Sequence, residues 1–152
     1  LHRRRHSFPT RRSSDLFNVA ASVLVITAQR LLRRLCNHCK RALNPTQIEA
    51  FLSKLSPQEQ ESFHATRSPP RSIYQAVGCT GCDQGYKGRV GIYQIMPISD
   101  ALQALILSDS TVQALTQQAI HEGMRTLRQA GWLKVAQGIT SIEEVLALTA
   151  RG

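Results

Sequence analysis

Two C-x-x-C pairs, Cys36-Asn37-His38-Cys39 and Cys79-Thr80-Gly81-Cys82, constrain this chain more than any other feature, and 39 residues separate them. Each pair makes a knuckle that turns two sulfurs toward one point, and two knuckles complete a tetrahedral site of Cys36, Cys39, Cys79 and Cys82 suited to zinc. With all four positions taken by thiolates there is no open place for water, so the site is expected to be structural and not catalytic. Such a cluster is formally about −2, and Arg34, Lys40, Arg41 and Lys87 lie close enough in sequence to offset it. Two other uses of cysteine stay open. A thioredoxin-like redox motif has one C-x-x-C at a helix start after a strand, whereas here there are two, and an iron–sulfur cluster also takes four thiolates. His38, between two ligands, reads as a surface residue of its knuckle.

The chain has 152 residues and 42% apolar side chains, a globular composition with room for one ordinary domain or two small ones. Its formal charge of +9 invites a nucleic-acid or acidic-membrane reading. Five of the cations, Arg3, Arg4, Arg5, Arg11 and Arg12, crowd the first sixteen residues, and from Phe17 onward the excess is only +5. The run His6 to Leu16 reads like an in-frame translation of a sequencing adaptor, so residues 1–16 are set aside as a cloning scar. The alternative is a genuine basic tail. The later cations are scattered and aromatics are few, which disfavours base stacking, and no nucleic-acid partner is expected. Val19 to Ala28 is apolar for about ten residues, half of what a membrane span needs, and Arg30, Arg33 and Arg34 follow without a cleavage region. Without an export signal, the paired thiols point to the reducing cytosol.

Phe17 to Leu24 suits the end of a helix. Val25 to Leu35 opens with β-branched residues and closes with leucines and arginines, and Arg89 to Met96 carries Val90, Ile92, Tyr93 and Ile95 between glycines and Pro97. The expectation is an antiparallel pair of these two segments with residues 36–88 inserted at its tip. In the insert, Thr46 with Glu49 reads as a capping box before Ile48, Phe51, Leu52 and Leu55, and Ser56, Pro57 and Glu59 open a more polar helix that fades by His64. Residues 66–72 read as a loop. After Pro97 four short helices are expected, begun by Ser99, by Ser110 with Gln113, by Thr126, and by Ser141 with Glu144, with Gly123 and Gly138 at C-terminal caps. Leu102, Leu105, Ile106, Leu115, Leu127 and Trp132 are expected to pack this tail on the strand pair. No GxxxxGK[ST] phosphate loop, paired-carboxylate or Ser-His-Asp pattern occurs, so composition by itself indicates a zinc-stabilised binding module.

Three segments, FNVAASVLVITAQRLLRRLCNHC, GCTGCDQGYKGRVGIYQIMPIS and EGMRTLRQAGWLKVAQGITSIEEVLALT, taken in order, resemble the C-terminal end of the secretion-superfamily traffic ATPases. The likeness is to type IV pilus assembly ATPases, with type II secretion ATPases next, and covers Phe17 to about Thr149. It implies an α/β fold in which 17–35 and the returning strand 89–98 end a RecA-like ATPase core, 36–88 is a zinc-binding insert and 99–152 is a helical tail. It further implies a homo-hexamer in the parent protein, cytoplasmic and peripheral at the inner membrane, that hydrolyses ATP with Mg and passes the motion to an inner-membrane platform protein. Only Cys36, Cys39, Cys79 and Cys82 carry over by position. The phosphate loop, acidic segments and histidine box would lie upstream of Phe17, so no catalytic residue is expected here, cofactor-binding residues for ATP are not assigned, and this chain alone is expected to be inactive.

Overall fold

A computed structural model describes residues 17–18, 20–64 and 72–149. The adaptor-like run 1–16, residues 66–71 of the expected loop and the side chain of His64 lie outside the described residues. The order of elements is β1 (Val25–Leu35), β2 (Arg41–Ala42), α1 (Pro45–Leu52), α2 (Pro57–His64), β3 (Tyr74–Gln75), β4 (Tyr86–Pro97), α3 (Asp100–Leu107), α4 (Val112–His121), α5 (Leu127–Ala136) and α6 (Ile142–Thr149). The strands β1 and β4 pair with each other. They run antiparallel: the amide of Ile98 donates to the carbonyl of Leu24 at 2.9 Å, and at the other end the amide of Cys36 donates to that of Gly85 at 2.8 Å. The returning strand begins three residues earlier than Arg89, because Gly85 and Gly88, at φ 89° and 80°, absorb the bend and let Tyr86 join the ladder.

The chain divides into two compact units, one of residues up to Thr27 with Ile95–Met124, the other of Ala28–Gln94 with the residues from Arg125 onward. In the first unit Leu102, Ala119 and Met124 are buried, with Met96, Ile98, Leu105 and Leu115 packed on them. Ser99 caps α3 by accepting from the Leu102 amide and donates its own hydroxyl proton to Glu122 at 2.9 Å.

The second unit holds the larger core. Leu32 of β1 and Ile92 of β4 meet Phe63, Ile73, Trp132, Val135 and Val145 there, each at most 1% exposed. Trp132 stacks on Phe63 at 5.8 Å and meets Phe51 edge-on at 5.3 Å, so both helices of the insert are fastened to α5 by aromatic contact. The expectation that Trp132 is core is met. The six-residue tail face is not one surface, however: Leu102, Leu105 and Leu115 pack within the first unit, Leu127 and Trp132 within the second, and Ile106 joins neither cluster. Helical spacing fixes the buried stripe of each helix and carries no information on which core the stripe enters.

Two expected caps move and a third is half made. Asn44, not Thr46, is the N-cap of α1, with Gln47 closing the capping box, because Pro45 has its φ preset and no amide to lose and takes the first helical position. Thr111 rather than Ser110 caps α4, Ser110 being held against Ser108 at 2.8 Å. Ser141 does accept from the Glu144 amide, but the Glu144 carboxylate turns away to Arg33 and the box is half made. Ser56 with Glu59 and the Thr126 cap stand as expected, and Gln129 closes a capping box with Thr126.

Candidate metal centre

Cys36 follows directly on the last residue of β1, and Cys82 precedes β4 by three residues, so the ladder itself carries the two knuckles to the same end of the ribbon. The turn of each knuckle is backbone-made: the Cys39 and Lys40 amides donate to the Cys36 carbonyl at 3.4 and 3.0 Å, and the Cys82 amide donates to that of Cys79 at 3.3 Å. A second short ribbon holds the intervening segment. There Arg41 faces Gln75 and Ala42 faces Tyr74 in antiparallel register, which returns the chain to the second knuckle. Two-residue strands leave no periodicity, so nothing in the sequence announced this ribbon. Gly85 is required at the meeting point: a Cβ there would stand 2.7 Å from Ala76 Cβ and from the Val77 nitrogen.

The result is that all four Sγ atoms lie within 4.8 Å of one another. Cys36 and Cys79 are 4.0 Å apart, Cys39 and Cys82 3.7 Å, Cys79 and Cys82 3.5 Å. Four thiolates bound to one tetrahedral zinc at about 2.3 Å stand about 3.8 Å from each other. Three of the six sulfur pairs thus have the spacing of a tetrahedron's edges, while a disulfide needs about 2.05 Å, and all four cysteines are free. Burial grades across the cluster, Cys36 being buried and Cys79 exposed. The thiols polarise one another. Burial pushes Cys39 up to about 11, and the Cys82 thiol goes down to about 7, where burial is opposed and outweighed by the Cys79 backbone and the Cys79 and Cys39 side chains. Soft donors at this spacing suit a d10 ion that needs no open position.

Of the expected counter-charges, Lys40 is committed elsewhere: its ammonium donates to the Gly138 carbonyl at 3.0 Å and sits 4.6 Å from the centre of the Tyr74 ring. Arg34 and Lys87 stay exposed beside Cys36, and His38 is exposed as expected. The supports that sequence reasoning missed lie between the ribbon and α6. Arg33 makes a two-pronged contact with Glu144, at 2.9 Å from Nε and 2.7 Å from the terminal nitrogen, and its backbone amide takes the other carboxylate oxygen at 2.9 Å. Tyr86, next to the second knuckle, shares a 2.8 Å hydrogen bond with Ser141, and Arg33 covers the Tyr86 ring at 4.1 Å. Glu144 and Ser141 carried a local capping signal that hid these longer-range partners.

The type II/IV secretion system protein family matches residues 10–147. The chain belongs to that family. Among similar members, the type IV pilus assembly ATPase PilB of Pseudomonas aeruginosa is 42% identical over 133 residues, which are 88% of this chain and 22% of that protein. PilB of Myxococcus xanthus is 38% identical over 135 residues, again 88% of this chain and 23% of the relative. The type II secretion system ATPase E of Vibrio cholerae is 38% identical over 134 residues, 88% of this chain and 24% of its own length. The chain thus spans under a quarter of the relatives named. No helix among the described residues is long and apolar enough to cross a membrane.

Proposed function

We propose that this chain is the C-terminal part of an ATP-driven motor of type IV pilus assembly and that its own contribution to that motor is a rigid, zinc-clamped projection. The observation that carries the reading is the 42% identity to a pilus assembly ATPase over 88% of the chain. In this proposal β1 and β4 are the last strands of a RecA-like core, residues 36–88 are the zinc module held by Cys36, Cys39, Cys79 and Cys82, and residues 99–152 are the helical tail. The nucleotide, with its Mg, is bound by parts of the parent protein that precede these residues, the parent is a hexamer, and the projection moves with the core against a platform protein at the cytoplasmic side of the inner membrane.

Zinc supplies a cross-link between the two knuckles and no chemistry of its own. The remaining work falls to the chain. Closing a loop as long as the insert costs entropy that rises with its length, and the β2–β3 ribbon, the Phe51–Phe63–Trp132 stack and the Glu59–Trp132 hydrogen bond at 3.1 Å offset that cost from the inside. A free zinc-stabilised module would need the same clamp, so an exchange experiment separates the two readings. Residues 17–149 replace the matching region of the Pseudomonas aeruginosa ATPase, and phosphate release and surface pili are scored. Turnover with pilus assembly supports the motor reading. A folded, zinc-containing chimera that hydrolyses ATP but assembles no pili favours the type II secretion reading, and one without turnover contradicts a motor role.

A further inference from the structure

We infer that the cavity beside the first knuckle is a binding site for a single phosphate group. It is a surface pocket of about 250 Å³, open to solvent and lined by Arg34, Leu35, Cys36, Asn37, His38 and Lys87. The two strands produce it: Arg34 is the penultimate residue of β1 and Lys87 the second of β4, and their antiparallel pairing sets two cations at one mouth. Arg33 takes Glu144 and Lys40 takes the Gly138 carbonyl, while Arg41 and Arg89, like Arg34 and Lys87, are exposed. Among the described residues Arg34 and Lys87 have neither an ion pair nor a side-chain hydrogen bond.

The frame of the cavity is held before any ligand arrives. The Cys36 amide is bonded to the Gly85 carbonyl at 2.8 Å, Ala76 leaves no room for a side chain at Gly85, and buried Tyr86 is tied to Ser141. Lys87 thus leaves a fixed backbone on one side and Arg34 a fixed strand on the other, which lowers the ordering cost of binding. A guanidinium fork, an ammonium, the Asn37 amide and the His38 ring offer more donors than one carboxylate accepts, and fit an ion with several oxygens. The volume lies below the roughly 300 Å³ at which pockets begin to take drug-sized ligands. Apart from the His38 imidazole no ring lines it, so a nucleobase gains no stacking platform. The recognised chemistry is a phosphate group alone, free or as the end of an ester. A four-thiolate cluster at Cys36 would carry negative charge and oppose the two cations, so a weak affinity, on the order of millimolar, is expected.

The test uses the 15N-labelled 152-residue chain with its purified metal content, titrated with inorganic phosphate at constant ionic strength and followed by amide chemical shifts. Saturable shifts at Asn37, His38 and Lys87 with a millimolar Kd are expected, and adenosine monophosphate should bind no more than about twofold tighter than phosphate, since the base adds no contact. Arg34→Gln or Lys87→Gln should each weaken binding about tenfold, and Arg34→Lys less, as it keeps the charge and loses the fork. The spectra themselves report whether each variant is folded. Linear, non-saturating shifts, or saturation that survives in the folded double variant, would overturn the inference, and so would monophosphate binding ten times tighter than phosphate. Zinc content is read on the same samples, so a missing metal and a missing phosphate site are separate outcomes.

Discussion

Gly131 lies inside α5, buried, and faces Val145 of α6. Replacing it by alanine sets two effects against each other. Alanine in a helix interior is favoured over glycine by about 1 kcal/mol. Against this, a Cβ at position 131 would stand 2.7 Å from Val145 Cγ1 and 3.1 Å from Cγ2. Both methyl groups of one β-branched side chain are in the way, and Val145, 0% exposed, has no space into which to turn. Overpacking of this kind costs about 1–3 kcal/mol, so Gly131→Ala should destabilise the second unit by a net amount on the order of 1 kcal/mol. The mechanism predicts a change of sign. Once Val145→Ala has removed the obstructing methyls, adding Gly131→Ala should stabilise by about 1 kcal/mol. Urea unfolding followed by Trp132 fluorescence, on the four members of the cycle, measures both steps. If Gly131→Ala stabilises in the presence of Val145, the packing of α5 on α6 is not as described.

Three further outcomes follow from the polar supports. Glu59 is held ionised below the ordinary carboxylate range: burial acts against this, but the Ser56 backbone, Trp132, the Ser56 hydroxyl and Arg128 prevail. A carboxyl with a lowered folded value stabilises above its unfolded value and loses that contribution as pH falls through the folded one, so stability should fall below about pH 4.5, and Glu59→Gln should flatten that part of the profile measured by urea midpoint. Glu144→Ala leaves the Arg33 guanidinium partly wetted but strips its backbone amide of an acceptor, and a loss of about 2 kcal/mol in chemical unfolding is expected. Cys79→Ser should speed proteolysis within the insert, near Phe51 and Leu52, while the helices α3 and α4, in the other unit, keep their protection, as read by mass spectrometry of timed digests.

The cysteine spacing, the two long strands and four of the helix starts could be read from local chemistry, since each depends on residues within a few positions of one another. What could not be read was long-range choice. Glu144 satisfies a capping pattern at three residues' distance, yet its carboxylate is better used by Arg33, 111 positions away, where a guanidinium and a backbone amide need it together. Asn44 caps α1 because Pro45 takes the first helical position, which starts the helix ahead of the Thr46–Glu49 pair. The division of the tail between two cores depends on which apolar faces meet, and helical periodicity is silent on that.

The cysteine clamp is the centre of this account, and metal analysis of the chain purified under reducing conditions tests it most directly. Three sulfur pairs 3.5 to 4.0 Å apart, in a cluster of four within 4.8 Å, could hold one metal ion. The expected result is about one zinc per chain, with four thiols that become titratable only when a chelator removes it. A metal content near zero, with all four thiols reacting freely in the folded protein, would contradict it.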